Sequence, residues 1–167
     1  AAGGIVIASV ANDEGAKSRE ADLKQLAGSV TTISKHHCRV FWTRPDASFD
    51  AALLAQWAKA DAPRMQESAD VPAGEFRTRP GVFAWDRIDP ASQLLAEHLP
   101  EVLHGRAADL GAGYGYLSTE LLQRCPGIAS LDLYEADARA LDLARRNLAD
   151  AAARLPLRLL WQDVTSG

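Results

Sequence analysis

The carboxyl-terminal half of the chain alternates short apolar runs with stripes spaced three or four residues apart. Residues 107–110 form one such run. Leu117, Leu121 and Cys125 then recur at helical spacing until Pro126-Gly127 stops them. Residues 131–135 form a second run, and Ala138, Leu141, Ala144 and Leu148 make the next helical stripe. Residues 157–161 form a third run, with 162–164 as its exit. Strand, helix, strand, helix, strand predicts a parallel α/β unit with right-handed crossovers. Ahead of it, Asp89-Pro90 is a helix start, with Asp as cap and Pro at the first helical position. Ala91, Leu94, Leu95, Leu99 and Val102 then mark a face expected to be buried.

The first eighty residues are patterned differently. Residues 5–8 are a β-branched run that reads as a buried strand, followed by a turn at 11–15. Residues 16–27 read as a helix, with Leu23, Leu26 and Ala27 on one stripe and Gly28 as its stop. Residues 30–34 and 38–42 read as strands joined at 35–37, most simply as a hairpin. After a break at 43–46, Phe49, Leu53, Trp57 and Ala60 fall at helical spacing, with Ser48 as the cap. Residues 62–79 contain Pro63, Pro72 and Gly74 and little periodicity, so a linker and domain boundary are expected there. The division is therefore 1–45, 46–80 and 81–167.

Composition changes this picture little. Of 167 residues, 47% are hydrophobic and 24% charged, which is ordinary for a globular protein. No apolar run approaches the roughly 20 residues of a membrane span, and the first residues lack a secretory signal. The net charge of −4 argues against strong nonspecific nucleic-acid binding, while leaving room for a local patch that reads a structured RNA. Arg145 and Arg146 belong to a solvated helix face rather than such a patch. Cys38 and Cys125 are far apart and unpatterned, and read as buried thiols of a reducing cytoplasm. His36, His37 and Cys38 are consecutive, so along a strand they alternate faces and cannot converge on a metal ion.

The chemistry concentrates at 107–118. Asp109 precedes a turn with glycines at 111, 113 and 115. A dinucleotide fingerprint needs glycines at the first, third and sixth positions, and Tyr116 stands at the sixth, which disfavours NAD. No Lys-Ser/Thr pair follows, so this is no P-loop. A strand, a glycine turn and a helix start together predict backbone N–H groups directed at an anionic ligand group. Ligands of open α/β sheets lie beyond the carboxyl ends of the strands. Glu135 ends the second strand, where a carboxylate can accept both hydroxyls of a ribose. Asp163 ends the third and can accept from an exocyclic adenine amine. Alone, Glu135 reads as a charge complementing a helix dipole and Asp163 as a turn residue; their common placement beside the glycine turn points to a nucleoside cofactor.

The pattern Asp109-x-Gly111-x-Gly113-x-Gly115 resembles motif I of the class I S-adenosylmethionine methyltransferases. The resemblance implies a turn that wraps the methionine end of the cofactor, with the acid helping to hold its amino group. It implies cofactor binding at Asp109, Gly111, Ala112, Gly113, Gly115, Glu135 and Asp163. Upstream, Gly81-Val82-Phe83, Asp89 and Ser92-Gln93-Leu94-Leu95 resemble the segment before motif I in the methyltransferase small domain. That domain occurs in the bacterial small-subunit ribosomal RNA guanine-N2 methyltransferases of type C, which carry two tandem methyltransferase-like domains, the first degenerate. Gly4-Ile5-Val6-Ile7, residues 12–15, Lys17-Ser18 and Lys35-His36-His37-Cys38 are similar to the tail of that first domain.

The fold implied is α/β: an incomplete Rossmann-like methyltransferase sheet, preceded by the carboxyl-terminal part of a degenerate methyltransferase-like domain. The activity implied for the parent is methyl transfer from S-adenosylmethionine to guanine N2 of small-subunit ribosomal RNA, in the cytoplasm. The alternatives are a related enzyme acting on a protein glutamine or a small molecule, or a noncatalytic cofactor- or RNA-binding segment. The family's Asn-Pro-Pro-aromatic tetrapeptide occurs nowhere in the chain. The chain is therefore expected to be an internal segment, inactive alone, with no assignable catalytic residue. Its first catalytic strand should have an open edge, which the amino-terminal strands could cover in one composite sheet, within a chain or exchanged between two chains; the alternative is two separate small units joined by residues 62–79, each with a thin core.

Overall fold

The computed structural model describes residues 4–44, 48–66 and 76–165. The chain divides into two compact units, Ala1–Ala60 and Asp61–Gly167.

In the first unit, β1 (Ile7–Ala11) leads through a 3-10 turn into α1 (Ala16–Ala27), then β2 (Thr31–Lys35), β3 (Cys38–Trp42) and α2 (Ala51–Asp61), whose last residue begins the second unit. The sheet order is β1-β3-β2, antiparallel throughout. The hairpin between β2 and β3 turns on two residues, His36 (φ 51°) and His37 (φ 59°), both left-handed. This is the paired positive-φ geometry that matches strand twist, and it places the two histidines in a turn rather than along a strand. Two expectations change here. β1 begins two residues later than expected and is an exposed outer strand, with Ile7 68% accessible. Cys38 is half-buried. The cap of α2 is also Asp50 rather than Ser48: Asp50 Oδ1 accepts from the N–H groups of Ala52 and Leu53, each at 2.9 Å.

The second unit opens with β4 (Arg64–Met65) and β5 (Arg77–Thr78), a short antiparallel pair within the stretch expected to be a linker. Residues 67–75 of that stretch, and 45–47 of the break before α2, lie outside the described residues. The elements α3 (Pro90–Glu97), β6 (His104–Leu110), α4 (Tyr116–Arg124), β7 (Gly127–Glu135), α5 (Ala138–Asn147), α6 (Ala149–Ala152) and β8 (Leu157–Trp161) follow. As the pattern predicts, Asp89 caps α3, accepting from Ser92 N–H at 2.9 Å, with Pro90 at the first position.

β6, β7 and β8 form a parallel sheet in that order. Leu131 and Leu133 of β7 are fully buried and pack against Ala144, Leu148 and Ala151, with Leu121, Leu122, Leu157 and Leu159 around them. A second cluster joins Phe76, Val82, Tyr114, Ala140 and Leu143. Each fully buried aliphatic side chain contributes about 1.5–3 kcal/mol, so the sheet and α5 are the rigid base on which the turns at the strand ends rest.

Among the described residues β6 pairs with β7 alone. The strands β1, β3 and β2 form a sheet of their own among the described residues. The face expected to be buried on α3 is also open. Leu94 and Leu95 are more than half exposed and Val102 lies beyond the helix end, 82% exposed. The inward residue of α3 is Ala96. Leu95 and Leu99 line a largely apolar groove of about 310 Å³ beside the edge of β6 that is unpaired among the described residues, with Ala108, Asp109, Leu110, Leu117 and Leu121. The hydrophobic stripe is real, but it borders this groove instead of a core.

Candidate cofactor-binding site

The site forms where β6 ends. Burial alternates along β6, placing Ala107 and Asp109 on the covered face and Ala108 and Leu110 on the exposed one. Asp109 therefore arrives half-buried under the start of α4. Ser118, buried in the first turn of α4, donates its hydroxyl to Asp109 Oδ2 at 2.7 Å, and its backbone N–H donates to the same carboxylate. Burial pushes the Asp109 carboxyl up from its ordinary value; the Ser118 hydrogen bonds oppose this, and the nearby Glu135 charge reinforces it.

Between β6 and α4 runs the glycine turn. Gly111, Gly113 and Gly115 all have positive φ, at 85°, 55° and 93°, a region that costs other residues roughly 1–2 kcal/mol. Their surroundings differ. A side chain at Gly111 or Gly113 would meet nothing within 4 Å, so both face open space. One at Gly115 would come within 3.3 Å of Leu148 and 3.5 Å of Ala144. Gly115 thus serves helix packing: its small size lets α4 start close against α5.

The turn's amides do not face a ligand as the motif leads one to expect. The N–H groups of Gly111 and Ala112 both donate to the Tyr134 carbonyl, at 2.9 and 3.0 Å. Gly113 N–H donates to Glu135 Oε2 at 2.7 Å, and Gly115 N–H to the Ala112 carbonyl at 2.9 Å. These four donors are satisfied within the protein, and the start of α4 already holds the Asp109 carboxylate. The result is not an anion cradle. It is an acidic end of the sheet, where the Glu135 charge acts on Asp109.

Glu135 ends β7, and its Oε1 also accepts from Asp137 N–H at 2.7 Å. Each carboxylate oxygen keeps a further lone pair for a ligand hydroxyl. Gly111, Ala112 and Gly113 share a depression of about 60 Å³ with Phe83, Asp89 and Leu117. The structure brings Asp109, Gly111, Ala112, Gly113 and Glu135 together. Asp163 stands apart, exposed past β8, where Oδ1 accepts from the N–H and hydroxyl of Thr165 at 2.8 and 2.7 Å.

Three participants carry no sequence signal of their own. Ser118 is marked only by being polar in the first turn of a helix nine residues after Asp109. Asn147 joins distant segments: its amide nitrogen donates to the carbonyls of Tyr114 and Arg77 at 2.8 and 3.0 Å, and its oxygen accepts from Arg77 N–H at 2.8 Å. Gln66, 1% exposed, donates to the carbonyls of Ala84 and Arg87 at 3.2 and 2.7 Å. These two amides tie the β4–β5 pair and the loop before α3 to the glycine turn.

The model of the methyltransferase small domain matches residues 73–167. The chain belongs to that family. It is 29% identical over 135 residues to ribosomal RNA small subunit methyltransferase C of Psychromonas ingrahamii, covering 80% of this chain and 37% of that protein. It is 33% identical over 140 residues to the protein of the same name from Shewanella baltica, covering 83% and 38%. The chain thus spans well under half the length of these relatives. Among solved structures, the Thermus thermophilus 16S rRNA N2 G1207 methyltransferase, in complex with AdoMet and guanosine, superposes with a TM-score of 0.68 at 22% identity. The match covers 97% of this chain and 43% of that one. The parallel α/β unit read from the strand and helix pattern, and the class I methyltransferase fold implied by the resemblance of the glycine motif, are therefore the fold of this chain, with β6, β7 and β8 as its first parallel strands.

The raised Asp109 carboxyl generates a prediction about stability. The fold raises the Asp109 carboxyl above its unfolded value near 4, so its contribution to stability falls as pH rises from there through the raised folded-state value. Asn at 109 can still accept from Ser118 without carrying the buried charge. Asp109→Asn should unfold at a higher urea concentration than the parent chain at pH 7, with the difference shrinking towards pH 4. A variant equally or less stable across that range would contradict the assignment.

Proposed function

We propose that this chain is the cofactor-binding part of an S-adenosylmethionine-dependent methyltransferase that acts on a guanine N2 amine of small-subunit ribosomal RNA in the cytoplasm. The observation that carries the reading is the sign of the site. An anionic cofactor such as a dinucleotide would meet two carboxylates and a turn whose donors are already satisfied. A cofactor with an ammonium and a sulfonium meets complementary charge instead. S-Adenosylmethionine supplies an electrophilic methyl group on that sulfonium. The residues fit it: Asp109 accepts from the ammonium, Glu135 accepts from the ribose hydroxyls, and Gly111 and Gly113 leave the open space through which the methionine end approaches. Asp163, beyond β8, lies on the side where the adenine would extend. The protein's part is positioning and charge placement. The relatives' names, over 80% or more of the chain, support the ribosomal RNA substrate. In the same reading, residues 1–45 are the tail of a degenerate amino-terminal methyltransferase-like domain, and 81–167 begin the cofactor-binding one.

S-Adenosylmethionine should bind the purified chain with one-to-one stoichiometry in calorimetry. Glu135→Ala should weaken binding by about 1.5–3 kcal/mol, the range for a lost hydrogen bond to a charged group. Absence of binding, or an unchanged affinity in the variant, would contradict the proposal.

We also propose that two copies associate through the free edge of β6. Leu110, 64% exposed, and the groove beside it support this, since unpaired strand edges next to apolar surface recruit further strands. Sedimentation equilibrium should show a dimer that Leu110→Lys dissociates; a monomeric parent chain at high concentration would exclude it.

A further inference from the structure

We infer that Phe83 is the platform on which the planar base accepting the methyl group stacks; this rests on the methyltransferase reading above. Phe83 lies in the irregular loop between β5 and α3. Its neighbours Val82 and Ala84 point into the protein, at 3% and 8% exposure, while Phe83 itself is 72% exposed. Ala84 has φ 51°, a left-handed conformation unusual for a residue with a Cβ. The loop is held from several sides. Gln66 donates to the Ala84 and Arg87 carbonyls, and the Tyr114 hydroxyl donates to the Arg87 carbonyl at 3.4 Å. The Arg139 guanidinium donates to the Gly81 carbonyl at 3.2 Å. The backbone that carries the ring is held in place before a ligand arrives, which lowers the entropic cost of binding.

Its position selects the occupant. Phe83 forms the rim of the depression shared with Gly111, Ala112, Gly113 and Leu117, at the end of β6. Neither Glu135 nor Asp163 lines that depression. Ribose and adenine placed over the ends of β7 and β8 therefore leave Phe83 beside the reacting end of the cofactor. The depression holds about 60 Å³ and is open to solvent at its Phe83 rim. A planar ligand at that rim lies against the exposed face of Phe83. Nucleic-acid enzymes grip unpaired bases by such aromatic stacking, and every base has a face that fits.

The test uses the purified chain, guanosine as the probe, and ring-labelled phenylalanine observed by NMR, with and without S-adenosylhomocysteine. Guanosine should shift the Phe83 ring resonances upfield and leave those of Phe41, Phe49 and Phe76 in place. Phe83→Leu should weaken guanosine binding by about 5- to 150-fold, the range of one base–aromatic stack, and Phe83→Trp should restore it. The loss should fall on guanosine and not on S-adenosylhomocysteine, measured separately by calorimetry. Phe83 resonances that ignore guanosine, a Phe83→Leu variant that binds guanosine as the parent chain does, or equal losses for both ligands would overturn the assignment. Failure of S-adenosylhomocysteine to bind the parent chain would instead refute the cofactor reading, and the guanosine titration without it still decides the role of Phe83.

Discussion

The Asp109 carboxylate sits under the start of α4, and the rest of the site follows from that contact. Strand alternation puts it on the covered face of β6. The Ser118 hydroxyl and N–H then converge on it, so the partial positive charge of the helix start is neutralised from within. An added anion would gain little there. The glycine turn follows the same logic: its first two amides close on the Tyr134 carbonyl and its third on Glu135. The backbone geometry common to phosphate-binding turns is therefore turned inward, and carboxylates are what the site presents.

This arrangement needs the strand ends to hold still. The Tyr134 carbonyl lies on β7, between the fully buried Leu133 and Glu135, so the turn inherits the rigidity of the sheet. Asn147 fixes the Tyr114 carbonyl from α5 and at the same time binds Arg77 of β5 through both its amide groups. Gln66 does the same for the loop that carries Phe83. Amides with several partners specify one arrangement of the segments they join. The match of the family model from residue 73 onward includes β5, whose bonds to Asn147 make it part of the same unit as the glycine turn.

Much of the fold was legible because it is written locally. The stop at Pro126-Gly127, the cap at Asp89-Pro90 and the stripe of α5 each depend on neighbouring residues alone, and each stands where the spacing places it. The lower-contrast features depend on distant partners. β7 begins at Gly127, four residues before its apolar run, because its first residues pair with His104 and Gly105 of β6. The α3 stripe borders an open groove because β6 pairs with β7 alone among the described residues. In the site, the acid, the glycines and Glu135 were identifiable by position along the strands. The direction of the turn's N–H groups was not, since it is set by a carbonyl at Tyr134 more than twenty residues away. Ser118 and Asn147 had no spacing signal for the same reason: their roles exist only once β6, α4 and α5 are packed.

The proposed recognition of a positive charge on the cofactor by Asp109 is tested most directly by a cycle that pairs a change in the ligand with a change in the protein. S-Adenosylhomocysteine and its analogue lacking the α-amino group would be titrated calorimetrically into the parent chain and into Asp109→Asn. If the carboxylate holds the ammonium, removing the amino group should cost the parent chain about 1.5–3 kcal/mol, the range for a charged hydrogen bond, and cost the variant much less. Equal losses in both proteins would show that the amino group is held elsewhere and would contradict the acidic reading of the turn.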